Sequence, residues 1–405
     1  MTASNFSRRK VLRVAGGSAA VLTVPRFGLA QANAPIKLGS LLPRLEPFAL
    51  QGEATTLGLK IALEQANYTV FGRKIEWVAY DEPNPLGAQQ NMQKLVQEDK
   101  VAAVIGGSNS ATGLANASVA TQAKMPTIIS AALAKEITGK NCNHYVFRHN
   151  ATPIVHARRL ARQMLSLGKR CHFQVDNYAY GHQACVMLKA ELLAAGGKDT
   201  GMDVASVGTT DFSSVILKIR LAKPDVIALG IAGTDLASFL KQFDEFGLCG
   251  KIPVGSLTIA DEENWAQPNP GGIMGKYWHF NNPQNSVQDR AFSFAVTKAI
   301  GHSPSQSCAQ GWVCTRTILA AIEKEKSAEP EAIVRGLETV RPDGLPGYFR
   351  DWDHKFITCI VVTQVKDSVT DKFDALRIIN KPMTLAKYEP IYGTKEDVGC
   401  TLGSI

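Results

Sequence analysis

Residues Asp99 to Gly113 hold the side chains best suited to ligand chemistry, with Ser108, Asn109, Ser110 and Thr112 directly after the glycine pair Gly106-Gly107. All four are good helix N-caps, and a turn running into a helix start presents backbone N–H groups that can hold an anion. Lys223 to Leu236 repeats the plan, with Gly230, Ala232 and Gly233 in the turn, Thr234 as the expected N-cap and Asp235 in the first helical turn. Each copy leads through a helix and a Pro-marked short strand to a small-residue loop, Ser130-Ala131-Ala132 in one case and Ser256-Leu257-Thr258 in the other. The duplication predicts two α/β units of like plan facing one another.

Catalytic patterns are missing from the sequence. It contains no GxSxG, HExxH or GxxxxGK[ST], and the Gly106-Gly107 turn lacks the spaced glycines of a dinucleotide site. The adjacent acids Glu262-Glu263 are not thereby aimed at one bond, and His354, set between charged residues in a turn, reads as structural or solvated. No ligand set for a cofactor is visible, so none is expected.

The elements that must position these residues alternate. A strand from Ile36 to Leu42, a loop holding Arg44, Phe48 and Gln51, a helix, a strand from Lys74 to Tyr80 and a Pro-bracketed loop from Asp81 to Pro85 precede the first glycine turn. After Arg148 to Pro153 marks a crossing, the spacing predicts a strand at Cys171–Val175, a loop holding Tyr178 and Tyr180, a helix over His182–Ala195, and a strand at Met202–Val207. A strand at Lys276–Phe280, three helices and β-rich runs at Gly347–Trp352 and Phe356–Val365 complete the pattern. Such alternation argues for parallel sheets covered on both faces.

The 405 residues, 45% hydrophobic, are enough for two domains. Net charge is +8, but the first 33 residues carry Arg8, Arg9, Lys10, Arg13 and Arg26 with no acid, and +3 remains without them. A chain so near neutrality gives no case for nucleic acid. Arg8-Arg9 in Ser7-Arg8-Arg9-Lys10-Val11-Leu12 resembles the twin-arginine export motif, and an apolar stretch and an Ala30-Gln31-Ala32 cleavage-type site follow. A twin-arginine signal peptide over 1–32 and a periplasmic destination are therefore expected. The eight cysteines show no CxxC or zinc spacing, and most are expected to be free buried thiols, with Cys400 able to bridge back to the body through an unassigned partner.

With these residues in hand, the chain resembles the Leu/Ile/Val-binding class of periplasmic solute-binding proteins, the capture components of ABC importers. The likeness spans residues 34 to 385 and rests on the order and spacing of Gly106 to Ser110, Ile129 to Ala132, Tyr145 to Arg148, Tyr180-Gly181, Asp211 to Ser213, Pro224 to Val226 and Gly347 to Arg350. It implies an α/β type I fold: two doubly wound, Rossmann-like parallel-sheet lobes joined by a three-segment hinge. Lobe one would be 34–148 plus 276–344, lobe two 149–275 plus 345–390, and 391–405 a C-terminal tail. Partners would be a small-molecule ligand and an ABC permease in the inner membrane, with the protein itself a monomer; a periplasmic sensor of the same fold is the competing expectation.

Carried over by position, Ser110 would meet the ligand's carboxylate, with Ser108 and Asn109 beside it, and Ala132 to Ala134, after the candidate residues Ser130 and Ala131, falls where backbone groups and a Ser or Thr complete the clamp. Leu133 or Ala134 stands where the family has Ser or Thr. Gln51 stands where an aromatic ring covers the ligand, with Phe48 as a substitute and Arg44 as a counter-charge. Tyr180 matches the second lobe's aromatic, beside Tyr178, and Ala232 or Gly233 lies where another tyrosine is common; Tyr277, which follows a strand period, reads as core or cleft wall. Leu257 replaces the carboxylate that takes a ligand's ammonium group, with Asp261 or Glu262 a turn later as substitutes. The departure points away from α-amino acids, toward a small organic or aromatic carboxylate. Arg148 is expected to tie the hinge to an acid.

Overall fold

The computed structural model describes residues 34–402, apart from 258–260, 267–271, 277, 342 and 382. The signal-peptide expectation, including Arg8 and Arg9, lies outside the described residues, as does Tyr277. Among the described residues no helix is long and apolar enough to cross a membrane.

The first lobe is built on β1 (Ile36–Leu41), α1 (Ala49–Gln65), β2 (Thr69–Val70), β3 (Arg73–Tyr80), α2 (Pro85–Lys94), β4 (Ala103–Gly106), α3 (Ser110–Ala123), β5 (Thr127–Ile129) and β6 (Val146–Arg148). Its sheet order is β2-β3-β1-β4-β5-β6, parallel except where β2 pairs antiparallel with β3. Strand order reverses between β1 and β4, so the loops after Leu41 and Gly106 diverge and leave a crevice at the carboxyl edge. That is where the first glycine turn lies.

The second lobe repeats this with α4 (Pro153–Leu165), β7 (Arg170–Asp176), α5 (Ala179–Ala194), β8 (Lys198–Ala205), α6 (Ser213–Ala222), β9 (Val226–Gly230), α7 (Gly233–Glu245), β10 (Val254–Ser256), α8 (Asp261–Ala266) and β11 (Gly272–Lys276). The chain then adds α9 (Val287–Ile300), α10 (Gln306–Glu325) and α11 (Pro330–Thr339) to the first lobe's core, where Phe292, Trp312, Ile318 and Leu337 join Leu38, Leu59 and Ile105. It returns through β12 (Gly347–Phe349), β13 (Phe356–Thr358), β14 (Val361–Val365) and β15 (Leu376–Ile378). The second sheet reads β15-β14-β11-β10-β9-β7-β8, with its own reversal between β7 and β9. The second glycine turn follows β9 at that reversal.

Packing of α1 on α10 depends on two glycines. A Cβ on Gly58 would lie 1.8 Å from the carbonyl oxygen of Cys308, and one on Gly311 would lie 1.9 Å from that of Thr55. The two helix backbones are therefore in direct contact, which only residues without a side chain allow.

Several boundaries differ from the sequence expectation. β11 runs over Gly272–Lys276 rather than from Lys276 to Phe280, because its first residue is a glycine that reads locally as a turn. Gly272 is nonetheless forced by space, since a Cβ there would fall 1.7 Å from the Val254 carbonyl oxygen of β10. The β-rich run from Phe356 to Val365 is divided: β13 pairs with β12 alone, whereas β14 joins the second sheet antiparallel to β11. Phe349 and Phe356 thus pack with Phe147 in the first lobe's core. His354, in the turn between β12 and β13, is buried, stacks on Phe147 at 3.9 Å and faces Glu338 at 3.0 Å, a structural role.

Cys142 and Cys400 form a disulfide that ties the C-terminal tail to the loop before β6; the other six cysteines are free.

Candidate functional site

The strand, turn and helix at residues 103–123 fold as the sequence dictates, but their hydrogen bonds are distributed differently. Asn109, not Ser110, caps α3, its side-chain oxygen accepting the N–H groups of Ala111 and Thr112 at 2.9 and 3.0 Å. Asn109 is extended where Ser110 is already helical, and only the extended residue can fold its side chain back on the first turn. Ser110 is buried, and its hydroxyl oxygen accepts the Ala134 N–H at 3.1 Å.

The turn's own anion is Glu82. Its carboxylate accepts the N–H groups of Gly107 and Ser108 at 2.9 and 2.6 Å and the Asn116 amide at 3.0 Å. Burial pushes this carboxyl up to about 7, against the pull of those donors. The expected free N–H groups at Gly107 and Ser108 are therefore engaged within the protein. Local reading missed Glu82 because the Pro-bracketed loop that carries it reads only as a connection.

The adjoining loop is similarly committed. Ser130 donates its N–H to the Gly106 carbonyl at 2.7 Å, and Ala131 and Ala132 donate to that of Gly107 at 3.2 and 2.9 Å. The Ala132 N–H expected to grip a ligand instead joins the two first-lobe turns. Arg148, fully buried, donates to the carbonyls of Leu133 and Ala134 at 3.1 and 3.0 Å and forms no ion pair among the described residues, in place of the acidic tie expected at the hinge. Desolvation lowers its pKa to about 10. Burial likewise drives His149 and His156 down to about 3, so the imidazoles at the first crossing are neutral.

Leu133 and Leu257 come from different lobes into one apolar cluster with Ala157, Leu160 and Met164. Positions where the resemblance implies a hydroxyl and a carboxylate are thus hydrocarbon. The substitute acids are occupied: Asp261 pairs with Lys276 at 2.8 Å and accepts the Gln306 N–H at 2.7 Å, and Glu262 accepts from the Ser307 hydroxyl at 3.2 Å.

Around the reversal in the second lobe, Tyr178 is half-buried before α5, and Tyr180 lies in its first turn. Asp176 is a buried carboxylate at the end of β7. Ala232, rather than Thr234, occupies the N-cap of α7, and Gly233 follows at φ +65°. A Cβ on Gly233 would meet the Pro47 carbonyl oxygen at 2.8 Å and the Phe48 ring at 3.3 Å. The lobes therefore touch where the two crevices face each other. Gln183 adds a second contact, its amide donating to Glu136 at 2.9 Å and accepting the Lys135 N–H at 3.2 Å. Gln51 is half-buried in the first turn of α1, whereas Arg44 is exposed, its guanidinium donating to the Ala79 carbonyl at 2.9 Å.

Two crevices at strand-order reversals, brought face to face by three crossings, define a two-lobed binding protein. The periplasmic binding protein family model matches residues 35–371, and the chain belongs to that family. It is 27% identical over 332 residues to the Leu/Ile/Val-binding protein homolog 7 of Brucella melitensis, covering 77% of this chain and 83% of that one. Among solved structures it resembles a periplasmic binding protein of Burkholderia mallei, with a TM-score of 0.82 and 22% identity, covering 91% of this chain and 99% of the other. It also resembles a Rhodopseudomonas palustris solute-binding protein of an ABC transporter in complex with 3,4-dihydroxybenzoic acid, at a TM-score of 0.76, 22% identity and coverage of 84% and 94%. All three are named as binding proteins, and the last as the solute-binding protein of an ABC transporter.

Proposed function

We propose that the protein captures a small organic or aromatic carboxylate lacking an α-ammonium group between its lobes and delivers it to an ABC permease after export by its twin-arginine signal. The observation carrying this reading is the burial of Leu257 among hydrocarbon, with Asp261 and Glu262 directed elsewhere. A desolvated ammonium needs an opposite charge, and a closed cleft without one excludes it by several kcal/mol, on the order of a buried unpaired ion. The Rhodopseudomonas protein carries an aromatic acid in the same fold, which is consistent with this class.

Ser110, Phe48, Tyr178, Tyr180 and Gly233 are the proposed contacts, with a first lobe of 34–148, 276–344 and the β12–β13 hairpin and a second lobe of 149–275 with β14 and β15 turning about the crossings, which moves the hairpin out of the second lobe expected from the sequence. Ligand stabilises the closed population, which the permease reads. One observation favours an amino acid instead: Asp176, buried at the second reversal, is a carboxyl group of the kind an ammonium requires.

A thermal-shift screen of the mature chain separates these readings, since a ligand that binds only the folded state raises the melting temperature. Benzoate, 4-hydroxybenzoate and short aliphatic acids are set against leucine, valine and amides. Stabilisation by an acid without an amino group supports the proposal; stabilisation by leucine or valine alone overturns it.

A further inference from the structure

The acids that follow β10 have a role of their own. Asp261 and Glu262 open α8 on the second lobe, yet their carboxylates meet the first lobe at the N-terminus of α10. Ser305 caps that helix, its side chain accepting the Cys308 N–H at 3.0 Å, which leaves the Gln306 and Ser307 donors facing across the lobe boundary. Asp261 takes the Gln306 N–H with one oxygen and Lys276 with the other, at 2.7 and 2.8 Å. Glu262 takes the Ser307 hydroxyl with Oε2 and has a buried Oε1 without a partner among the described residues. Nearby, His302 of the first lobe stacks on Phe373 of the second at 3.9 Å, with Trp265 edge-on to both.

We propose that Asp261 and Glu262 form a proton-sensitive latch between the lobes, in which Asp261 holds the α10 N-terminus and Glu262 sets how closure depends on pH. Asp261 has a built-in cation in Lys276, so its charge is compensated on closure. Among the described residues Glu262 has no cation within ion-pair distance; Asp261 repels its charge, and Lys276, already paired with Asp261, offsets only part of that. With burial outweighing the Lys276 charge and the hydroxyl donors around it, a carboxylate taken out of water on closure prefers its proton.

The direction follows from linkage. Burial and Asp261 raise the Glu262 carboxyl in this closed form to about 7, above the ordinary 4.5 it regains when the lobes part and water returns. The closed state therefore binds more protons, and closure is favoured as pH falls. The closing equilibrium should shift about tenfold between pH 8 and pH 6. Other described titratable groups facing this junction are Lys276 and Asp261, His279 beside both, the Cys308 thiol of α10, Glu53 and Lys60 from α1, and His302 and Lys372 in the adjoining groove.

The test uses the unliganded mature chain, so it does not depend on the ligand class proposed above. Small-angle scattering reports lobe separation, and hydrogen exchange at Gln306 reports the N–H that Asp261 accepts. Between pH 8 and pH 6 the radius of gyration should fall and Gln306 exchange, corrected for its intrinsic rate, should slow about tenfold. Glu262→Gln, close in shape to the protonated acid, should remain closed at both pH values; Asp261→Asn should expose Gln306 at both. His302→Gln should keep the pH response. A wild type that does not respond to pH, a response that survives in Glu262→Gln, or one that disappears in His302→Gln overturns the latch. Circular dichroism checks that each variant folds, and if Asp261→Asn does not, the wild type and Glu262→Gln decide.

Discussion

Glu82 accepts the N–H of Gly107 at 2.9 Å from 25 residues earlier in the chain, giving the first glycine turn a built-in carboxylate. The turn's shape is thereby held from beneath, before any ligand arrives. Because the folded pKa, about 7, lies above the ordinary 4.5, the protonated form is the one the fold favours. Stability from this group is complete below about 4.5 and is lost as pH rises through about 7. The melting temperature should fall between pH 5.5 and pH 8, by at most on the order of 3 kcal/mol in stability from this residue. Glu82→Gln should flatten that slope; a variant with the wild-type slope would remove Glu82 as its source.

Gly233 tests closure without disturbing either core. Gly233→Ala places a methyl group against Pro47 and requires a left-handed residue to carry a side chain. The Pro47 contact exists only where the lobes meet and costs about 1 kcal/mol or more by overpacking, whereas the left-handed strain is present in every folded state. Ligand affinity should drop about fivefold or more by titration calorimetry, by the same arithmetic of 1.4 kcal/mol per tenfold. The unliganded melting temperature should fall only by the left-handed strain, about 1–2 kcal/mol in stability, and the affinity loss comes on top of it. A stability loss with no affinity loss would mean that Gly233 serves the fold of its own lobe.

Asp176 separates the two ligand readings. With a carboxylate ligand that has no amino group, Asp176→Asn should leave benzoate binding within about threefold, since no charge partner is removed. A loss of a hundredfold or more in leucine binding, with benzoate inert, would instead assign Asp176 to an ammonium group.

Where α1 crosses α10, the backbones leave no room for a methyl group. Gly58→Ala or Gly311→Ala should destabilise the protein by about 3 kcal/mol, the upper end of overpacking costs, as read by chemical denaturation. A change under about 0.5 kcal/mol would mean that the helices separate freely.

The Cys142–Cys400 bridge closes a loop of 258 residues. Cys400→Ser should lower stability by about 2–4 kcal/mol under oxidising conditions and have no effect in excess reductant. Unchanged unfolding in both conditions would leave the tail without a part in stability.

The sequence by itself determined the alternation of strands and helices, both glycine turns and their place at sheet edges, because apolar runs, glycines and caps act over a few residues. It also marked Leu257 as hydrocarbon where a charge could stand. Only the tertiary structure decided how the polar groups pair. Glu82 rather than a ligand meets Gly107 and Ser108; Asp261 and Glu262 reach across to α10; Arg148 holds carbonyls; and Cys400 finds Cys142. Likewise β11 begins at Gly272, because a glycine that looks like a turn is the residue that fits beneath Val254. Each of these depends on residues distant in sequence meeting in a desolvated space, where the need for a partner is set by burial. Local periodicity carries no record of that burial.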